Sequence, residues 1–260
     1  MKVLRLGQSL CSSGGSSVPD PDFVFTADTT IAGSSGVGLL TLPAAGVWNC
    51  KIDWGDGTSD SSVTTSITHD YTATSGAGVY TVRISGTVVS FGFNNAGDKL
   101  KMKNISNWGI YELRNSGSFY GCTNLTCSAT DKASVGTTDF RNHFRACIVF
   151  NGAIGNWDTG SFVRMDRMFQ SANAFDQNLG NWTIKACTNF NAAFFKDSGA
   201  FSTASLDGIY IGWAAQATNI PIGSTVDFQT SKYSAGAAAT ARAVLTSAPY
   251  NWTITDGGQA

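Results

Sequence analysis

Phenylalanine stands at positions 119, 144, 169 and 194, each ring 25 residues from the next. The same register carries Cys122, Cys147 and Ala172 three residues later, and Leu125, Phe150 and Phe175 six later. Trp157 and Trp182 lie twelve residues ahead of Phe169 and Phe194, inside matching Gly155-Asn-Trp157 and Gly180-Asn-Trp182 triplets. Phe140, Met165 and Phe190 keep the period as well. A unit this short cannot bury its own apolar face, so successive units must stack and turn each recurring position into a ladder through one core. The spacing therefore predicts a short leucine-rich-type solenoid of about four units, at 105–129, 130–154, 155–179 and 180–204. Phe119, Phe144, Phe169, Phe194, Trp157 and Trp182 are its expected core. Lys132 occupies the tryptophan position of the second unit, which should make that unit the weakest.

The rest of the chain reads as strands, turns and a closing cap. Of 260 residues only 13% are charged, about half the usual share, so Ser, Thr, Asn and Gly must cover much of the surface. With 29 Gly against 5 Pro, the composition favours short strands joined by tight turns. Strands are expected at 23–25, 38–42, 48–54, 79–84 and 88–91, where β-branched and aromatic residues are bounded by Gly, Asn, Asp or Ser. Beyond Phe201 the period breaks. Leu206, Ile209, Tyr210 and Trp213 have helical spacing, residues 234–245 form an Ala-rich helix with Ser234 as candidate N-cap, and 251–255 read as a last strand. An atypical final unit is what an open-ended stack requires. The expected divisions are 1–22 as an N-terminal peptide and Ser/Gly linker, 23–97, 98–204 and 205–260. The fold class is mainly β.

Two stretches resemble known families. Ile52-Asp-Trp-Gly-Asp-Gly-Thr58, Thr68-His-Asp-Tyr71 and Gly78-Val-Tyr-Thr-Val82 together resemble the PKD family, which implies an immunoglobulin-like β-sandwich over 23–97. In that pattern Asp56-Gly57 supplies the positive φ angles of a hairpin turn, while Tyr71 and Tyr80 offer buried rings with a hydroxyl to satisfy. Ile154 to Phe169, continuing to Ala174-Phe-Asp-Gln-Asn-Leu-Gly-Asn-Trp182, is similar to the repeat of BspA-like leucine-rich-repeat surface proteins. It departs from the usual form at Phe162, Arg164 and Arg167. Residues 98–125 resemble the segment joining a PKD-like domain to such repeats, and the ending after Phe201 resembles their C-terminal cap.

Signatures of chemistry are sparse. The two histidines, His69 and His143, sit within the PKD-like motif and beside a core Phe, and no nucleophile elbow, HExxH helix or phosphate loop is present. A non-enzyme is expected. Asp53, Asp56 and Asp60 cluster on one turn and are the candidate ligands for calcium, the sole cofactor considered. Of the aromatics, Tyr111, Tyr120, Phe162 and Phe195 break the period and are the candidates for an exposed recognition face. Six cysteines lack CxxC pairing and read mainly as small buried hydrophobes, although Cys122 and Cys147, one unit apart, lie close enough to permit a disulfide.

A formal net charge of -1 without a basic patch argues against nucleic acid, and no window is apolar enough to span a membrane. Met1 to Leu10 lacks the apolar core of a signal peptide. This favours export within a virus particle, with Val3, Leu4 and Leu6 docking the chain onto other virion proteins. The expected function is a virion surface appendage, a tail or head fibre or decoration protein of a bacteriophage, that presents the solenoid to a host glycan or protein. A bacterial cell-surface adhesin or a carbohydrate-binding accessory module is the alternative, and a homo-oligomer stays open.

Overall fold

The computed structural model describes residues 21–187, 194, 195, 197–216, 218 and 220–260. The chain is mainly β, with two α-helices among the described residues. Strand β1 (Phe23–Asp28) is central: Phe23, Phe25 and Ala27 project into the core from one face, and Val24 is buried on the other. It is flanked by β6 (Val79–Val89) and β7 (Met102–Asn107), both antiparallel to it. β6 is long enough to serve three partners along its length: β1, then β3 (Trp48–Asp53), then β8 (Tyr111–Leu113). β4 (Ser59–Val63) pairs with β3, and β2 (Leu39–Leu42) with β5 (Ile67–Asp70) forms a separate ribbon.

Two expectations are corrected here. The strands expected at 79–84 and 88–91 are one strand, continuous through Gly86 at φ +99°, where a Cβ would fall 2.7 Å from the Asn49 carbonyl oxygen. The boundary expected after residue 97 is crossed by the sheet, since β7 lies beyond it and pairs with β1. A buried lysine helps to fasten this junction. Lys101 Nζ reaches the carbonyls of Gly36 (2.5 Å) and Leu39 (2.6 Å) and lies 3.3 Å from Asp98, whose carboxylate also accepts from Ser35 and from Thr41 N. Burial pushes the Asp98 carboxyl up, but those hydrogen bonds and Lys101 outweigh it and hold it below the usual range.

From β7 onward, successive units run parallel. β9 (Thr126–Cys127) pairs with β7 and β10 (Ser134–Val135) with β8. Beyond these short strands, backbone hydrogen bonds repeat with the register: Phe119 N donates to His143 O (3.1 Å) and Phe144 N to Met168 O (3.0 Å). The rings follow. Phe119 and Phe144 stack at 5.9 Å and 4°, Phe144 and Phe169 at 5.8 Å and 6°. At the fourth unit the register shifts by one residue, with Phe169 N donating to Phe194 O rather than to residue 193. In consequence Phe195, not Phe194, stacks on Phe169 (5.8 Å, 13°), and Phe194 meets it edge-on at 72°. All of these rings are buried.

The tryptophan ladder tolerates its gap. Trp157 makes edge contact with Trp108 at 5.3 Å, bridging the second unit, where Lys132 is exposed and Ala133 is buried instead. Trp182 Nε1 donates to Ile154 O (2.9 Å), and Trp213 Nε1 makes the equivalent bond one unit on, to Leu179 O (3.0 Å). Trp213 belongs to α1 (Thr203–Ala214), whose Leu206, Ile209, Tyr210 and Trp213 face the core and close the last unit. Behind α1 pack α2 (Ala237–Thr246) and the parallel pair β11 (Thr225–Asp227) and β12 (Thr253–Thr255). Ser234 is not the cap of α2. The helix starts from Gly236 at φ +76°, and Ser234 N instead donates to Asp207 of α1 (2.8 Å).

Candidate functional site

The turn between β3 and β4 gathers a cluster of polar side chains. Gly55 (φ +78°) and Gly57 (φ +90°) take the left-handed conformations, which Asp56 does not share. Asp56 instead works as a hub: its carboxylate accepts from Thr58 N and Oγ1, from Thr74 Oγ1 (2.6 Å) and from His69 Nε2 (2.9 Å). Burial pushes this carboxyl up, yet the hydrogen bonds from Thr58, Thr74 and His69 prevail and hold it well below the usual range. His69 lies flat on Trp54 (4.6 Å, 5°), and the Tyr71 hydroxyl donates to Trp54 O (3.0 Å). Tyr80 stacks on Tyr71 at 3.9 Å and donates to Gly76 O.

The three aspartates considered for calcium have separate tasks. Asp53 accepts from Gly55 N, Asp60 accepts from Trp54 Nε1 (2.7 Å), and Asp56 is the hub just described. Among the described residues no group of three or more His, Cys, Asp or Glu side chains is arranged to hold a metal ion.

Of the four aromatics expected on an exposed face, three are buried. Tyr111 lies in the aromatic cluster of the sheet, 4.4 Å from Phe23, and its hydroxyl accepts from Phe91 N (2.6 Å). Phe162 stacks on Phe140 at 3.5 Å, and Phe195 is the fourth ring of the phenylalanine column. All three rings point inward although they stand off the numerical period; for Phe195 the cause is the one-residue shift at the fourth unit. Tyr120 alone is half-exposed, with the Arg145 guanidinium 4.8 Å over its ring. The expected docking residues Val3, Leu4 and Leu6 lie outside the described residues.

The surface carries a feature that aromatic residues do not reveal. Arg114, Asp139 and Arg164 follow one another at the 25-residue spacing, and Arg141 and Asp166 do the same two residues further on. They form the pairs Glu112–Arg114 (2.6 Å), Asp139–Arg141 (2.5 Å) and Arg164–Asp166 (3.6 Å). The Arg141 side chain holds the Asp139 carboxyl below its ordinary range, with Arg164 adding to the effect. Charge alternating at the repeat spacing was available in the sequence as a signal of this exposed face.

Cys50, Cys122, Cys127, Cys147 and Cys187 are free thiols. Burial pushes Cys50 and Cys127 up to about 11 and raises Cys122 and Cys147 as well, which suppresses the reactive thiolate. Cys147 Sγ lies 3.1 Å from Phe119 O, so it packs as a core residue.

Residues 87–208, just under half of the chain, match the family model described as "Mycoplasma protein of unknown function, DUF285". The match covers the stacked units and the first half of α1, and is in keeping with the BspA-like repeat type. No curated protein and no solved structure matches the chain.

Proposed function

We propose that this chain is a non-catalytic display protein of a bacteriophage particle, in which a PKD-like sandwich carries a short leucine-rich-type solenoid that attaches the particle to a host surface. The observation that carries the reading is the continuous phenylalanine column with its repeating backbone hydrogen bonds. Stacked units of this kind bury their aromatics inward and present an extended, periodic outer face, the geometry that adhesive repeat proteins use. The interlocked Trp54, Asp56, His69 and Tyr71 support the PKD-like assignment, because the motif residues meet in space as one structural unit. Residues 1–22 would dock on other virion proteins.

Gold-labelled antibodies raised against the purified chain test the reading on isolated particles and intact bacteria. Labelling of particles is the expected result. Labelling of bacterial envelopes alone would move the protein to a cell-surface adhesin, and labelling confined to the cytoplasm would overturn both placements.

A further inference from the structure

Lys101 is the only lysine buried among the described residues, and its side-chain nitrogen ends in a cage of oxygens. The loop between β1 and β2 supplies Gly36 O at 2.5 Å and Ser35 Oγ at 2.9 Å, and the first residue of β2 supplies Leu39 O at 2.6 Å. Asp98 Oδ2 stands 3.3 Å away, and neither side chain of that pair has any exposed surface.

The hydrogens in this cage can be followed one by one. An ammonium has three N–H donors, and the three near oxygens use all of them. The Ser35 hydroxyl that accepts from Lys101 gives its own hydrogen to Asp98, which also accepts from Ser35 N and Thr41 N. One positive charge therefore faces one carboxylate, with the remaining lone pairs of that carboxylate engaged. Gly33 walls the stem, since a Cβ there would fall 2.9 Å from Lys101 Cε.

Four oxygens converging on one point, two of them backbone carbonyls and one a carboxylate, make the donor set of a small-cation site. Their number and charge define its class. Calcium takes about six to eight oxygens and carries a second charge, which this place without exposed surface has no group to match. A monovalent cation that donates N–H, as ammonium and primary alkylammonium ions do, fits both the acceptors and the single carboxylate.

We propose that the junction between the β1–β2 loop and the turn entering β7 is a binding site for a primary ammonium ion, which the native chain keeps filled with its own Lys101. Occupancy ties that loop to the turn at residues 98–101. The site is independent of the host-attachment reading.

Lys101→Ala tests it by removing the ammonium and its stem while leaving the oxygens. Its thermal midpoint should fall by about 10 °C, because a buried carboxylate loses its counter-charge. Ethylammonium or propylammonium chloride should restore at least half of that fall in a saturable manner. Tetramethylammonium chloride at equal ionic strength has the charge without the N–H donors and should restore none. Lys101→Met fills the stem channel with an apolar chain and should be destabilised without rescue by any of these salts. An unchanged midpoint in Lys101→Ala overturns the site, as does equal rescue by tetramethylammonium or no rescue by any cation. Rescue by calcium chloride alone overturns the ammonium class. Should Lys101→Ala fail to fold, the parent chain decides. In nitrogen-15 NMR the Lys101 ammonium protons should exchange with water at least tenfold more slowly than those of exposed Lys51 and Lys132, and equal exchange overturns the cage.

Discussion

Phe169 has aromatic contacts on several sides: Phe144 at 5.8 Å, Phe195 at 5.8 Å, Phe175 at 3.9 Å, and Trp182, tilted at 39°, at 6.2 Å. Neighbours already packed into their own column cannot collapse into the space its ring would leave, so Phe169→Ala should cost about 3–5 kcal/mol in denaturant unfolding. His143 offers a second test at this scale. It is fully buried beside Phe140, and burial pushes its pKa down to about 4, with Asp139 only partly opposing. The unfolded chain takes up this proton below about pH 6.5 and the folded chain only below about 4, so the stabilisation is complete above pH 6.5 and is lost as pH falls toward 4. The loss amounts to about 3 kcal/mol at most. His143→Met, borrowing the side chain found at the equivalent Met168, should flatten melting temperature across that window; an unchanged slope would show that other groups set it. Lysine behaved less predictably than histidine at the sequence level. Lys101 reads as one member of a loose basic cluster, and nothing in its spacing reveals that two carbonyls and Asp98 hold it inside the fold.

At the scale of elements, the stacked units were legible because large rings recur at fixed intervals, and ring size leaves few alternatives to a shared column. The one-residue shift at Phe195 was not, because a small change of unit length preserves inward packing while spoiling the arithmetic. The two- and three-residue strands β8, β9 and β10 are too short for any alternation to register, and only parallel pairing with neighbouring units defines them. Helix α1 was visible through Leu206, Ile209, Tyr210 and Trp213, but its seat was not. Gly208 and Gly212, one turn apart, let the helix backbone touch the loop at Asn178–Gly180: a Cβ on Gly212 would meet Gly180 O at 2.2 Å. Alanine is the better helix former by about 1 kcal/mol, yet the clash is with backbone and forces α1 away from the unit it covers. Gly212→Ala should therefore lower the thermal midpoint, whereas an intrinsic-propensity effect alone would raise it.

For the whole molecule, the decisive fact is that the sheet does not stop where the sequence motifs change. β7 closes one side of β1, and Phe23, Phe91, Trp108, Tyr111 and Phe119 form one aromatic cluster drawn from both sides of residue 97. A chain ending at 97 would leave β1 with an unpaired edge and would expose the ring faces that Trp108, Tyr111 and Phe119 cover. Edge strands of this apolar character recruit other chains. The fragment 21–97 should accordingly aggregate or remain unfolded, although its motif resembles a domain that stands alone in other proteins. The full chain should unfold in one cooperative transition, with tryptophan fluorescence and far-ultraviolet circular dichroism giving the same midpoint, because Trp48 and Trp54 on one side and Trp157 and Trp182 on the other report on one connected core. Two separated transitions, or a soluble and folded 21–97 fragment, would show that the shared sheet is a contact between independent domains and that the stacked units stand without it.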